Sequence, residues 1–330
     1  MRPLFVTGYT WRDTYQSSSC KETLDQPPGG YMYNNFVVQD SMRSHRTYKG
    51  NSEKFGIVVD GIRYLVKIPV THGRSISPYT EYVASNFIRE LGINCQEVWL
   101  GIYGSHRVSI IKDFVAEGWF LREFDDIHQS SVDTDLTSKA YTYEDVTHVL
   151  EKHFRMESSV KAAMLEQFWK MFVCDAILGN RDRHGGNWGY LATSNVRKPA
   201  PIYDNGSSLF PGVGGVIQNF TNHEFSFLSE RSEKFPASLF QMQRGDGINR
   251  RTNYYEMLGK CAEFPEMRAA MAGLDFASVY SAITKTVMSA GSIIPKTFQR
   301  FYVEIVCMRY LHMVERLSLE DAYNTIKGRV

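Results

Sequence analysis

Asp182 and Asn187 stand five residues apart in the glycine-rich run Leu178-Gly179-Asn180-Arg181-Asp182-Arg183-His184-Gly185-Gly186-Asn187. An acid and an amide at that interval suit phosphoryl transfer. The acid receives or orients the proton of an attacking hydroxyl, and the amide helps hold Mg²⁺ against nucleotide phosphates. Further on, Pro201-Ile202-Tyr203-Asp204-Asn205-Gly206 reads as a short strand ending in Asp and then Gly. It resembles the metal-binding Asp-Phe-Gly element, with Asn in the middle position. A base candidate, Asp182, and two metal candidates, Asn187 and Asp204, thus appear in the order this chemistry uses.

Elements must hold these side chains in place. Phe55-Gly56-Ile57-Val58-Val59 and Tyr64-Leu65-Val66-Lys67-Ile68 flank Asp60-Gly61, and Asp-Gly between two β-rich runs predicts a hairpin. A helix follows, with Ser77 as its cap, Pro78 at its first position, Val83, Phe87, Ile88 and Leu91 on one face, and Gly92 as a left-handed stop. Gln96 to Tyr103 and Arg107 to Phe114 read as two more strands around Gly104-Ser105, which completes a β-β-α-β-β order. Beyond Gly118 the chain reads as mostly helical. Ser158 to Leu178 is the clearest helix, closed by Gly179, and it delivers the chain into the Asp182 loop. A second long helix spans about Lys296 to Leu317, with Phe298, Phe301, Ile305, Met308 and Leu311 as core. Residues before about position 50 read as polar and irregular, with a turn at Pro27-Pro28-Gly29-Gly30.

Lys67 lies near the end of the second hairpin strand, where an ammonium needs an anion or must reach water. A nucleotide phosphate, aided by a helix glutamate such as Glu81, would supply that anion. Glu81 also suits the start of its helix electrostatically. Gly50 and Gly56 frame a weak glycine loop that lacks the Gly-x-Gly-x-x-Gly spacing.

With 330 residues the chain is long enough for two lobes, and 37 Lys plus Arg against 36 Asp plus Glu leaves a net charge of +1. No block of like charge points to nucleic acid or an anionic membrane. No apolar run approaches the roughly 18 residues of a membrane span, and the start lacks a signal core, so a soluble protein is expected. Cys20, Cys95, Cys174, Cys261 and Cys307 are scattered without Cys-x-x-Cys spacing, which fits a reducing cytoplasm.

Taken together, the motifs resemble those of HipA-like serine/threonine kinases. They are Gly50-Asn51-Ser52-Glu53-Lys54, Val66-Lys67-Ile68-Pro69, Thr80-Glu81-Tyr82 through Glu90-Leu91-Gly92, Asp182-Arg183-His184-Gly185-Gly186-Asn187 and Tyr203-Asp204. The reversed Asp-Arg-His order, against the usual His-Arg-Asp, is shared with phosphatidylinositol kinases. The resemblance implies a bilobal α+β protein-kinase-like fold, with a small β-rich N-lobe at 1–113 and a mainly helical C-lobe at 114–330. It implies ATP and Mg²⁺ as cofactors, the 50–54 loop over the phosphates, Lys67 on the phosphates with Glu81, and Asp182 as catalytic base. Asn187 and Asp204 would hold Mg²⁺, and Lys112-Asp113-Phe114-Val115 would be the hinge that meets adenine through backbone groups. The acceptor would be a protein Ser or Thr, with an antitoxin or regulator as a further partner. A lipid or small-molecule hydroxyl is the other acceptor class. Autophosphorylation is implied at Thr47, three residues before Gly50, although Ser44, Thr47 and Ser52 also suit a plain loop. HipA-type toxins carry a further N-terminal subdomain, whereas only residues 1–46 precede the loop here, so their recognition surfaces do not carry over.

Other readings of the same residues stand beside this one. Asp182-x-His184-Gly185 also opens the metal motif of dinuclear phosphoesterases, but the later histidines, His223 and His312, are not followed by the rest of that pattern and no Gly-His-x-His occurs. A kinase-shaped binding module without turnover is a third class. His184 could orient the base or simply shape the loop. Arg181 and Arg183 could clamp a phosphate or pair with acids, and Trp169 and Trp188 read as packing residues.

Overall fold

The computed structural model describes residues 33–46, 48, 53–69, 76–131, 141–155, 157–217, 220, 224–243, 249–327 and 329. Among the sequence expectations, Thr47, Gly50 and Ser52 lie outside these described residues, as does the turn at 27–30. No helix among the described residues is long and apolar enough to cross a membrane.

A five-stranded sheet comes first, in the order β1-β4-β5-β3-β2. Its strands are β1 (Phe36–Val38), β2 (Lys54–Val59), β3 (Ile62–Lys67), β4 (Val98–Tyr103) and β5 (His106–Lys112). The Asp60-Gly61 hairpin forms as the sequence predicts, with positive φ at both residues and antiparallel register pairing Lys54 with Lys67 and Gly56 with Leu65. The expected β-β-α-β-β order is present. What the polar N-terminal stretch concealed is β1, a three-residue strand that pairs in parallel with β4 and buries Phe36 and Val38. Three residues are too few to display an alternation, so tertiary pairing alone makes this strand visible.

Helix α1 (Ser77–Glu90) crosses between β3 and β4. Ile76, not Ser77, occupies its cap position, and no side chain caps it there. The stop is as expected: Leu91 ends the helix and Gly92 turns the chain at φ +75°. After β5 come β6 (Phe120–Glu123), α2 (Phe124–Ser131), α3 (Tyr143–His153) and α4 (Ser158–Leu178). Strands β7 (Gly189–Ala192) and β8 (Arg197–Pro199) then join β6 in a small sheet in the order β6-β7-β8. No alternating pattern in the sequence marks this sheet, because each strand spans four residues or fewer. The remainder holds α5 (Gly214–Ile217), α6 (Phe225–Glu233), the hairpin β9 (Ala237–Gln243) and β10 (Asn249–Asn253), α7 (Tyr254–Leu258), α8 (Pro265–Ala272) and α9 (Phe276–Ser289). Last come α10 (Lys296–Met313) and α11 (Leu319–Lys327). The predicted helix to Leu317 stops at Met313, because the chain reverses through Arg316 at φ +63° and Leu317 N–H folds back onto the Leu311 carbonyl.

One apolar cluster joins α1 through Val83, Phe87 and Ile88, the sheet through Leu100 and Ile111, α4 through Phe168 and Trp169, and α10 through Phe301 and Ile305. Helix α10 is buried on nearly every side, beyond the single face that its spacing indicated. The described fold is therefore mixed α+β, with a curled sheet followed by a mainly helical part whose core is continuous with it.

Candidate active site

Strand β3 ends at Lys67, and the pleat puts Lys67 on the same face as Lys54, its partner across the hairpin. Lys67 Nζ donates to Glu81 Oε2 at 3.0 Å and to Asp204 Oδ1 at 2.7 Å. Burial alone would lower the Lys67 pKa, but the adjacent Asp204 and Glu81 carboxylates outweigh it and hold the ammonium charged. In return Lys67 holds the Asp204 carboxyl below the usual carboxylate range, against the opposing effect of burial. Lys54 shifts downward because it is partly buried and because Lys67 lies nearby. Glu81 is only 2 % exposed, so it serves the interior and not the solvated start of its helix. Its second oxygen, Oε1, accepts from Gln96 Nε2 at 2.5 Å and from the Asn205 backbone N–H at 2.8 Å.

The loop that carries Asp182 begins where Gly179, at φ +65°, ends α4. Asn180 ties the loop down, donating from Nδ2 to Asp175 Oδ1 at 2.9 Å and accepting from the Asp182 N–H at 3.0 Å. Arg183 is 2 % exposed. Its Nε and Nη2 grip both Asp175 oxygens at 2.8 and 3.0 Å, and Nη1 donates to the Asn187 and Tyr203 carbonyls at 2.8 and 2.5 Å. Nη2 also donates to Asn205 Oδ1 at 2.6 Å. All five guanidinium donors are thus committed to the protein, which settles Arg183 as an internal brace and not a phosphate clamp. Arg181 is exposed.

Asp182 is exposed, with its carbonyl accepting from Asn187 Nδ2 at 2.8 Å and from the His184 N–H at 2.9 Å. His184 accepts the Gly186 N–H on Nδ1 at 3.0 Å, so its ring shapes the short 3₁₀ turn Gly185–Asn187. Gly185 is closely hemmed in, since a Cβ would lie 2.2 Å from Asp125 Oδ1 and the Asp125 side chain would have to move. Trp188 stacks on Phe124 with centroids 4.3 Å apart, and Trp169 is buried, so both are packing residues.

At the 112–115 linker, the Asp113 carboxylate meets Arg46 Nη1 at 3.1 Å, Arg63 Nε at 3.6 Å and the Tyr48 hydroxyl at 3.2 Å. Burial beside this carboxylate pushes the Tyr48 phenol up to about 12. Val115 donates its N–H to Asp113 Oδ1 at 3.0 Å and accepts from Arg63 Nη2 at 3.1 Å. Phe114 packs on Tyr203 with centroids 5.6 Å apart.

Lys67, Glu81 and Asp204 are therefore joined directly, and Asp182 and Asn187 are joined through the loop backbone. Among the described residues there is no group of three or more His, Cys, Asp and Glu side chains placed to hold a metal. A carboxylate and an amide oxygen still fit Mg²⁺, which usually takes one or two protein oxygens and completes its shell with phosphate and water. Asp175, Ser85, Gln96 and Asn205 were not singled out in the sequence. Only Asn205 carried a signal, as the polar middle residue of the Asp-Asn-Gly element.

The family model of the HipA-like C-terminal domain matches residues 47–291. A serine/threonine-protein kinase, CtkA of Helicobacter pylori, is 32% identical over 216 residues, which is 63% of this chain and 64% of that kinase. This chain thus matches less than two thirds of that relative's length. The crystal structure of the Helicobacter pylori proinflammatory kinase CtkA superposes with a TM-score of 0.67 at 26% identity, covering 84% of this chain and 95% of that one. HipA from Shewanella oneidensis, solved with HipB and operator DNA, shares the fold with a TM-score of 0.54 at 13% identity over 87% of this chain and 68% of that one. With a match that spans well over half of its length, the chain belongs to the HipA-like C-terminal domain family.

Proposed function

We propose that this chain is a serine/threonine protein kinase that transfers the γ-phosphoryl group of Mg-ATP to a protein hydroxyl, its own included. The observation that carries the reading is the Lys67 ammonium bonded at once to Glu81 and Asp204. A partly buried ammonium between two carboxylates is a charge held ready for phosphate oxygens. Lys54, on the same face, adds a second positive group. In the reaction the acceptor oxygen forms its bond to the γ-phosphorus as the bond to the bridging oxygen of ADP breaks. The hydroxyl proton passes to the exposed Asp182 carboxylate. Asn187 Oδ1 and Asp204 are the oxygens that would hold Mg²⁺, and the ion, when bound, would neutralise phosphate charge. The transition state is loose and charge-rich, so these residues act by position and field, without a covalent enzyme intermediate.

In the same reading residues 1–113 and 114–330 are the two lobes, and 112–115 is the hinge beside the adenine. Thr47 is the autophosphorylation candidate and Ser52 the second. The arginines nearby already have partners, Arg46 on Asp113 and Arg43 on Asp40 at 2.9 Å, so a phosphate there competes with these ion pairs. A regulator that binds the kinase, as HipB accompanies HipA in the solved complex, is the partner class this reading carries. Incubation with labelled ATP, with and without magnesium and with and without a cell extract, tests the proposal. Magnesium-dependent labelling of Ser or Thr is expected, with peptide mass spectrometry reporting any phosphate within residues 41–52. Nucleotide binding without any transfer would instead mark a kinase-shaped binding module.

A further inference from the structure

Asn205, in the middle of Asp204-Asn205-Gly206, is fully buried, yet its side chain is polar and completely engaged. Oδ1 accepts from Arg183 Nη2 at 2.6 Å. Nδ2 donates to Ser85 Oγ at 3.0 Å and Cys95 Sγ at 3.4 Å. The backbone N–H donates to Glu81 Oε1 at 2.8 Å. One residue therefore bonds the Asp182 loop, through Arg183 and Asp175, and helix α1, through Ser85 and Glu81. Gln96 closes the α1 side of the network by donating to both Glu81 Oε1 and Ser85 Oγ at 2.5 and 3.1 Å.

The neighbours of Asn205 show what is being held. Asp204 adopts a left-handed backbone at φ +57°, a strained conformation for a non-glycine residue that persists only where its surroundings hold it. The enforcement comes from both sides. Arg183 binds the Tyr203 carbonyl before it, and Thr80 Oγ1 donates to the Gly206 carbonyl after it at 2.7 Å. At Gly206 a Cβ would lie 2.8 Å from Glu81 Oε2, so the chain passes directly against the carboxylate that Lys67 uses.

We infer that Asn205 is a positioning residue, a polar key that locks Asp204, helix α1 and the Asp182 loop into one arrangement suited to magnesium and nucleotide. An apolar residue at this place could fill the space but could not bond Arg183 and Ser85 together, and Arg183 would keep an unpaired buried donor. The arrangement is closed in the chain as it stands, with the Lys67–Glu81 pair made at 3.0 Å. The inference rests on the reading of Asp204 as a magnesium ligand, but the bracing can be tested apart from it.

Asn205→Ala removes the side-chain key, and Ser85→Ala removes the hydroxyl that Asn205 and Gln96 share while leaving the Asn205 N–H bond to Glu81, a milder change that keeps the test usable if the first variant folds poorly. Two measurements apply to each: calorimetry of a non-hydrolysable ATP analogue with and without magnesium, and amide hydrogen exchange. In Asn205→Ala we expect the magnesium enhancement of binding to fall roughly 10- to 100-fold, the range for losing a group that orients a metal ligand. Exchange should rise together at 77–90 and 180–187. Ser85→Ala should move both in the same direction by less. Unchanged exchange at both segments in a folded Asn205→Ala protein overturns the inference. If the parent shows no magnesium enhancement at all while exchange still rises jointly, the metal reading of Asp204 fails and the brace stands.

Discussion

At the scale of single residues, the site separates an exposed acid from a charge cluster in which Glu81 is buried, Lys67 mostly covered and the Asp204 carboxylate partly open to solvent. Asp182 offers its carboxylate to solvent while its backbone anchors Asn187, a division suited to a base that must meet a substrate hydroxyl. Asp182→Ala is expected to leave nucleotide binding nearly intact and to lower turnover by roughly 10² to 10⁴, the range for losing a positioned proton acceptor. Steady-state kinetics beside calorimetry check this, and unchanged turnover in a folded variant removes Asp182 from the role. Asp204 supports a prediction about pH. Lys67 depresses its pKa in the folded chain, whereas an unfolded Asp titrates near about 3.9. The stabilisation this represents is therefore complete above about pH 4 and is lost as pH falls through the lower folded value. Urea unfolding should show a constant stability difference between parent and Asp204→Asn from neutral pH downward, shrinking only below that point. A difference that stays level into strong acid would contradict the Lys67–Asp204 coupling.

Among the elements, α1 has the largest part in the site, because it supplies Glu81, Ser85 and Thr80 from one side and packs the core with the other. Phe87 and Val83 are fully buried, and Tyr79 meets Phe298 of α10 with ring centroids 6.0 Å apart. Phe87→Ala is expected to cost about 3–5 kcal/mol of stability, the usual penalty for emptying a buried aromatic site. Because α1 carries the partner of Lys67, transfer should fall at temperatures where the variant is still largely folded. Urea unfolding and activity measured side by side decide this, and a loss below about 1 kcal/mol would mean that the helix repacks without strain. The elements also show how far local signals reach. Helix α4 and its Gly179 stop appear as predicted, since propensity, apolar pattern and cap agree there. Ser77 did not cap α1, because an N-cap is decided by the path of the incoming chain as much as by residue type.

For the molecule as a whole, the shared core constrains movement. Helix α1 is tied to α9 by Lys285 Nζ and Glu90 Oε2 at 2.6 Å, and Asn34 Nδ2 reaches the Ser289 carbonyl at 3.3 Å. The described sheet and helices share one core, so nucleotide binding should act mainly by ordering groups that this core already holds. A ligand that binds only the folded chain stabilises it by about 2.7 kcal/mol at 100 times its dissociation constant. Thermal melting should therefore rise with Mg-ATP in the parent. In Asp204→Asn the added effect of magnesium over ATP alone should disappear. An equal magnesium increment in both proteins would place the ion elsewhere.

The sequence by itself marked the candidate groups and determined the local elements that present them. Asp182 with Asn187, Lys67 at a strand end and the Asp60-Gly61 turn all express themselves in short windows, where spacing and backbone preference are enough. The sequence also marked Glu81, but left its solvated helix-start role as an alternative. Only the tertiary structure decided that Glu81 faces inward, that Arg183 spends its donors on Asp175, Asn205 and two carbonyls, and that β1 joins the sheet. Those outcomes depend on partners up to 124 residues apart, as between Glu81 and Asn205. A buried polar group takes whichever partner the packed chain brings within bonding distance, and that proximity is a property of the fold and not of any local run of residues.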